Sequence, residues 1–258
     1  VTNCNFNNNN KIQKLFLGSS LKSISNNPNN KSYSSDLYIK NLKQWFEMSI
    51  SSNMVGSTTT LYLGQIEAVR DPNKGNQIDH YLWDKLEGAG DYAGQGTRVK
   101  VTLPMINEAL KEVTEIKNYA CIKMTQLEGK LVIPDNITNI GSSVFAACTG
   151  LTGELVIPNS VISIGNDAFS GCTGFTNIEI PDSITSIEYG MFYKCTGLTS
   201  IEIPNSVTSI GSDAFNGCGQ LTSDIILPNV TSISNNAFMD CQLIQKIDIG
   251  ENITSIGT

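Results

Sequence analysis

The sequence predicts one continuous right-handed solenoid of the α/β type, with short parallel strands on its concave side and irregular, 3₁₀ or short helical turns on its convex side. Three observations support this fold. A unit of 23 or 24 residues repeats through the C-terminal half of the chain, each unit contains an alternating apolar segment, and each full unit has one phenylalanine and one cysteine at fixed places. A single unit cannot bury its apolar face alone, so stacked units must share a core.

Prolines and phenylalanines set the period of the repeat. They are Pro134, Pro158, Pro181, Pro204 and Pro228, and Phe145, Phe169, Phe192, Phe215 and Phe238. In the I-x-I-P segment the first and third residues point inward, and proline ends the strand because it has no N–H to donate to a neighbouring strand. We expect each phenylalanine to stack on the next along the solenoid axis.

The repeat continues upstream in an altered form. Residues 113–134 align without gaps to residues 207–228, with Cys121 in the phenylalanine place and Met124 in the cysteine place. Residues 99–104 (VKVTLP) are predicted to form the strand of this unit. A longer, helix-prone loop follows, and its apolar residues share one face: Ile106, Leu110 and Val113.

The same unit begins the chain, since residues 12–25 (IQKLFLGSSLKSIS) are similar to residues 244–257 (IQKIDIGENITSIG). We therefore predict three parts. Residues 1–64 are irregular N-terminal units, residues 65–98 are an insertion without the repeat, and residues 99–258 are regular units, of which the last is incomplete.

The repeated unit, IxIPxSVTSIGxxAFxxCxxLTS, resembles the BspA-like (Treponema pallidum-type) leucine-rich repeat of bacterial surface proteins. The resemblance covers residues 101–258 and, more weakly, 12–25. Residues 36–63 are similar to a longer, irregular repeat of such arrays, although Phe46 occupies the place where that pattern has cysteine. The resemblance implies a curved solenoid on or beyond a cell surface, in a family linked to adhesion and host-protein binding.

The charge of the chain argues against a nucleic-acid partner, and its hydropathy argues against a transmembrane helix. The net charge is −7 and the chain has no run of lysine and arginine, whereas a nucleic-acid-binding surface needs a basic patch. The chain also lacks the roughly 18 consecutive apolar residues of a transmembrane helix. Neither DNA nor RNA is therefore expected as a partner, and no transmembrane segment is expected.

The two ends of the chain suggest where the protein acts. The N-terminus has no signal sequence, which we take to have been removed from a secreted or surface protein. The C-terminus stops inside a repeat and has no polar capping unit, which solenoids need for solubility. We therefore expect a fragment of a longer protein, or else end-to-end self-association through the open last repeat.

The sequence predicts no catalytic residue, no metal site and no cofactor. Five cysteines recur with the repeat and are expected to be buried free thiols: Cys148, Cys172, Cys195, Cys218 and Cys241. His80, the one histidine, is expected in a surface loop, and no nucleophile motif accompanies it. Glu179 and Glu202 should be neighbours at a spacing that a retaining glycosidase could use, but we expect them to be solvated.

The outward position of each strand is the predicted binding surface, because adjacent strands place these side chains in one column. The predicted ligand-binding residues in the column are Phe16, Tyr38, Tyr62, Val132, Val156, Glu179, Glu202 and Asp248. Thr102 and Ile226 occupy the same position. Trp83 and Tyr92 are predicted as aromatic anchors of the insertion, either for a ligand or for packing against the solenoid.

Three functions remain open from the sequence. The first is adhesion, in which the concave strand face binds a host or extracellular-matrix protein. The second is carbohydrate binding, with the aromatic positions as platforms for sugar rings. The third is a passive spacer that displays another domain.

Overall fold

The computed structural model describes residues 42–48, 50 and 101–258 together with their side chains. In the rest of the chain it describes only the backbone of the strands. The strands in chain order are β1 (Asn3–Asn5), β2 (Lys14–Leu17), β3 (Ser23–Ser25), β4 (Asp36–Ile39), β5 (Ser49–Ile50), β6 (Thr60–Leu63), β7 (Ile66–Arg70), β8 (Ile78–Trp83), β9 (Val99–Lys100), β10 (Glu115–Ile116), β11 (Asn139–Ile140), β12 (Thr152–Val156), β13 (Ser163–Ile164), β14 (Gly174–Glu179), β15 (Ser186–Ile187), β16 (Ser200–Glu202), β17 (Ser209–Ile210), β18 (Ile225–Leu227), β19 (Ser232–Ile233), β20 (Ile247–Ile249) and β21 (Ser255–Ile256).

Each regular turn of the solenoid contributes to two parallel ladders. The strands of the I-x-I-P segments pair in the order β12-β14-β16 and, further along, β18-β20, and we call their outward surface the strand face. The return strands pair in the orders β10-β11-β13 and β15-β17-β19-β21. All of these pairings are parallel. The predicted fold class is confirmed.

The third side of each regular turn is irregular rather than helical. Left-handed residues occur twice in each such segment, four positions apart, as in Ser143 and Ala147 with φ of 53° and 57°, or Asp213 and Gly217 with φ of 57° and 80°. A residue with positive φ cannot continue a right-handed helix. Of the three turn types that the sequence left open, irregular turns are the one that forms here.

The core of the regular units is built from two columns that run along the solenoid axis. The rings of Phe145, Phe169, Phe192, Phe215 and Phe238 stack in succession, with centroids 5.8, 6.0, 5.5 and 5.2 Å apart. The first four of these rings are fully buried. The predicted stacking is confirmed, and it arises because successive phenylalanines are 24, 23, 23 and 23 residues apart, which is one turn of the solenoid each time.

Cysteines form the second column. Cys148, Cys172, Cys195 and Cys218 are buried free thiols, and Cys241 is half-buried. Each thiol donates a hydrogen bond to the carbonyl of the residue in the phenylalanine place of the preceding turn, such as Cys195 Sγ to Phe169 O at 3.3 Å. Cys148 donates to the carbonyl of Cys121, which stands in the phenylalanine place of the preceding unit. The thiols therefore fill space and also satisfy backbone acceptors.

Residues 99–113 differ from the prediction for them. Val99–Lys100 pairs antiparallel with β6, and the chain then enters helix α2 (Leu103–Ala109), followed by the 3₁₀ helix η1 (Leu110–Glu112). Residues 99–104 are therefore not one strand of a parallel unit, and Thr102 is the N-cap of α2 rather than a strand-face residue. Pro104 favours this outcome, because proline is well suited to the first turn of a helix.

The predicted apolar face of this segment is confirmed, since Ile106, Leu110 and Val113 are all buried. Helix α1 (Leu42–Glu47) packs beside it. The indole of Trp45 is fully buried and donates a hydrogen bond to the carbonyl of Ala120 at 2.6 Å. The two helices thus join the N-terminal units to the core of the regular ones.

The segment predicted as an insertion contains an antiparallel hairpin, β7-β8. His80 lies in β8 and pairs with Val69, so the expectation that it lies in a loop was wrong. The strand that contains His80, IDHYLW, neither alternates regularly nor has a copy elsewhere in the chain, so its local sequence did not indicate a strand. The predicted domain boundaries at residues 64 and 98 remain predictions.

Candidate binding site on the strand face

The strand face of the first regular units forms an open groove with a volume of about 910 Å³. We call it the strand-face groove. Its floor is the outward positions Val132, Val156, Glu179 and Glu202, together with the inner strand residues beside them. One lip consists of the residues that follow the prolines: Asp135, Asn159, Asp182 and Asn205. Lys130 and Asn177 lie on the other lip.

The strands position the floor residues by simple alternation. In the four I-x-I segments that contribute the floor, the flanking apolar residues are buried and the middle residue is exposed. Val156 is in register with Glu179, and Glu179 with Glu202. Val132 lies outside the ladder. Its N–H donates a hydrogen bond to Asn107 Oδ1 of α2 at 3.1 Å, so α2 takes the place of a further strand there.

The floor has an apolar end and an acidic end. Val132 and Val156 are 48% and 40% exposed, so both valines present apolar surface to solvent. Glu179 and Glu202 continue the column as exposed carboxylates. Four of the predicted ligand-binding residues are therefore brought together on one uncovered surface.

Among the described residues, the groove has more carboxylates than cations. Asp135, Glu179, Asp182 and Glu202 all line it, and Lys130 is the one basic residue among its described lining residues. Lys130 forms an ion pair with Glu154, with an N–O distance of 3.6 Å. The groove is therefore acidic, and most strongly so at the end marked by Glu179 and Glu202.

A chain of hydrogen bonds fixes the rim on the Lys130 side. Ser200 Oγ donates to Asn177 Oδ1 at 2.9 Å, and Asn177 Nδ2 donates to Glu154 Oε1 at 3.1 Å. The bond from Asn177 and the nearby Lys130 hold the pKa of the Glu154 carboxyl below its ordinary value. The rim is thus a set of polar groups that are already oriented.

The two glutamates of the floor are exposed to solvent. A general acid needs surroundings that bury it and favour its protonated form, whereas Glu179 and Glu202 are both exposed on an open face. Within the described part of the chain, no group of three or more His, Cys, Asp or Glu residues could hold a metal ion. The arrangement suits recognition of another surface.

The aromatic half of the predicted column lies on a separate sheet. Phe16 is in register with Tyr38, and Tyr38 with Tyr62, in the parallel ladder β2-β4-β6. The antiparallel strand β9 follows β6, so the ladder ends before the regular units. The side chains of these three residues lie outside the described residues, and their predicted role stays a prediction.

Of the three remaining predicted site residues, Asp248 is the one whose side chain is described, and it does not line the groove. Asp248 pairs with Ile226 in the ladder β18-β20 and forms an ion pair with Lys246 at 2.8 Å. Trp83 pairs with Ile66 in the hairpin, and its side chain is not described. Tyr92 lies outside the described residues altogether.

The lip residues Asp135, Asn159, Asp182 and Asn205 are not among the site residues that the sequence predicted. A signal for them existed. The residue after each strand-ending proline recurs with the same period as the outward strand position, and it is Asp or Asn in these four units. The two positions are three residues apart in each of these units, so their columns run side by side along the stack.

The last turn exposes apolar residues as well. Ile247 and Ile249 are each 37% exposed and Ile256 is 61% exposed, and together they line an apolar depression of about 400 Å³. The predicted end-to-end self-association through this surface remains a prediction. Among the described residues, no helix is long and apolar enough to span a membrane.

The parallel ladders, the stacked core columns and the open strand face define a leucine-rich-repeat solenoid. The family model described as "BspA type Leucine rich repeat region" matches residues 105–152 and 152–258 in six copies, which is more than half of the chain. The chain therefore belongs to the BspA-type leucine-rich repeat family. Comparison with proteins of curated function gives no match.

Solved structures of bacterial proteins share the fold. A leucine-rich repeat protein from Bacteroides ovatus ATCC 8483 is 18% identical, with a TM-score of 0.53, and the match covers 100% of this chain and 57% of that one. A leucine rich cell surface protein from Faecalibacterium prausnitzii A2-165 is 20% identical, with a TM-score of 0.50 and coverages of 93% and 60%. A third, from Eubacterium ventriosum ATCC 27560, is 17% identical, with a TM-score of 0.52 and coverages of 95% and 75%.

This chain thus spans less than two thirds of the length of the first two structures that it resembles. At these identities the solved structures establish the fold alone, whereas the family model establishes the repeat family.

Proposed function

We propose that the chain is a protein-binding module of a secreted or surface-tethered protein, and that the strand-face groove is its binding site. The observation that carries this proposal is the uncovered floor, where Val132 and Val156 expose apolar surface next to a row of carboxylates. An exposed apolar patch rimmed by polar groups is typical of a surface that contacts another protein.

Adhesion to a host or extracellular-matrix protein is the form of this function that we favour. Family membership supports a binding or surface role, and one structure with the same fold carries the name of a cell surface protein. An extracellular location is consistent with the low fraction of charged residues, 16%. The groove offers a recognition surface without a catalytic group.

Carbohydrate binding is a second candidate, and it concerns a different sheet. The register of Phe16, Tyr38 and Tyr62 places three aromatic positions on consecutive strands. Strands about 4.8 Å apart would give an aromatic column suited to sugar rings. In this second candidate the groove would have no part in binding.

The experiment is binding of the purified chain to immobilised matrix proteins and glycans, with three double variants. Val132→Asp/Val156→Asp makes the floor polar, and Glu179 and Glu202 show that acidic residues are tolerated at this position of the repeat. We expect saturable binding to a protein, lost in this variant because its apolar contact is replaced by charge.

The second and third variants locate the site. Ile162→Asp/Met239→Asp is the matched control, since both residues are exposed, at 65% and 51%, and neither lines the groove. Binding should survive in it. If Tyr38→Ala/Tyr62→Ala alone abolishes binding, the aromatic column is the site and the proposal is wrong. If the folded chain binds no member of the panel, the spacer function is favoured.

A further inference from the structure

We infer that the partner of the strand-face groove is a cationic amphipathic helix, with apolar side chains over Val132 and Val156 and Lys or Arg side chains over Glu179 and Glu202. The inference rests on the proposed function and names the chemistry of the partner. It follows from three properties of the groove: its charge, the order of its floor residues, and the spacing of the turns.

The charge of the groove selects a basic partner. No described Lys or Arg forms an ion pair with Glu179, Asp182 or Glu202. These carboxylates lie within one lined surface, so they repel one another and create a negative potential over the groove. Lys or Arg side chains of a partner would remove that repulsion, whereas an acidic partner would increase it.

The order of the floor residues selects a partner that is not uniformly basic. Two neighbouring turns present valines and the next two present glutamates, so the apolar and the acidic halves are separate. A matching segment must carry its apolar anchors at one end and its basic residues at the other. None of the described residues that line the groove is aromatic and able to stack on a sugar ring, which argues against a glycan in this groove.

The spacing of the turns selects a helix. Parallel strands are about 4.8 Å apart, so the four floor residues span about 14 Å. Helix residues that face one side recur with the pitch of about 5.4 Å and span about 16 Å over four anchors. Alternate residues of an extended chain recur at about 6.7 Å and span about 20 Å, so an extended segment loses register with the turns. A helix lying in a groove is also a common mode of recognition.

The test uses fluorescent, alanine-based helical peptides of about 14 residues, with Leu at positions i and i+4 and Lys at i+7 and i+11. One matched peptide has Glu in place of Lys, and another has the same residues in scrambled order around the helix. Binding to the whole chain is measured by fluorescence anisotropy. We expect the Leu/Lys peptide to bind roughly tenfold or more tightly than either matched peptide, and less tightly as salt is raised.

Charge reversal in the groove should reverse this preference. In Glu179→Lys/Glu202→Lys we expect the Leu/Glu peptide to bind more tightly than the Leu/Lys peptide. The control is Glu112→Lys/Asp240→Lys, which changes the net charge equally at exposed residues that do not line the groove. Lysine already occupies the position of Asp240 in another unit, as Lys194 with a similar φ. Circular dichroism establishes that each variant is folded.

Four outcomes would overturn the inference: equal binding of the Leu/Lys and Leu/Glu peptides, equal binding of the scrambled peptide, an equal effect of the control variant, or no binding of any peptide. These outcomes are distinguishable from failure of the proposed function. If Val132→Asp/Val156→Asp abolishes binding to a protein of the panel while the peptides show no preference, the groove is a binding site and its partner is not a cationic helix.

Discussion

Replacement of Phe215 by alanine tests whether the aromatic column holds the solenoid together. Phe215 is fully buried, and its ring stacks on Phe192 at 5.5 Å and on Phe238 at 5.2 Å. Truncation of a buried phenylalanine removes its transfer free energy and leaves a cavity, which together cost about 3–5 kcal/mol. Each lost ring contact accounts for about 0.5–1.5 kcal/mol.

The neighbouring residue provides a control with the same chemistry. Phe238 contacts one ring of the column instead of two and is only half-buried. Phe238→Ala should therefore destabilise the protein less than Phe215→Ala. Each repeat contacts only its neighbours, so both losses should be confined to the adjoining turns.

Urea unfolding followed by far-UV circular dichroism measures the two free energies of unfolding. We expect Phe215→Ala to lower that free energy by about 3–5 kcal/mol and Phe238→Ala by clearly less. A loss below about 1 kcal/mol for Phe215→Ala, or equal losses for the two variants, would refute the argument that the stacked column is a principal source of stability.

Two further predictions concern titratable groups. Burial and a neighbouring carboxylate raise the pKa of Asp167, so its ionisation opposes folding at neutral pH and the penalty disappears as the pH falls. Asp167→Asn should raise the urea midpoint at pH 7 and change it little near pH 3. Asparagine is compatible with this backbone conformation, because Asn236 occupies the same left-handed position in another unit. An unchanged midpoint at pH 7 would contradict the prediction. Burial raises the pKa of Cys148 and Cys195 to about 12. At pH 8 iodoacetamide should therefore label the half-buried Cys241 before these two thiols, which should react only when the protein unfolds. Mass spectrometry of the labelled peptides measures the order.

The regular part of the fold could be predicted because every unit supplies an independent copy of the same evidence. The offset of 11 residues from Pro204 to Phe215 recurs in three other units and is one residue shorter in the last, so the phenylalanines must lie on one side of the stack, one in each turn. Met124 in the cysteine place indicated that the thiols need not pair, and the described cysteines are free. The hydrogen bond from each thiol to a backbone carbonyl was not predicted, because it depends on how far one turn rises above the last.

Segments that do not match the repeated unit were predicted less well. The alternation in VKVTLP favours a strand, but the chain enters α2 at Leu103 and buries Ile106 against the core. His80 was assigned to a loop because its strand partner, Val69, could not be recognised from local sequence. In both cases a contact distant in the chain decided the local conformation, and local propensity was too weak to oppose it.

The candidate binding site was also predicted in part from the sequence and decided in part by the tertiary structure. The sequence by itself determined that Val132, Val156, Glu179 and Glu202 share one column, because the period of the repeat and the alternation of a strand leave no other arrangement. Only the tertiary structure decided that this column ends at α2 and is separate from the ladder of Tyr38. A column continues only where each strand pairs with the next, and that pairing depends on which edges the helices and the antiparallel strand β9 occupy.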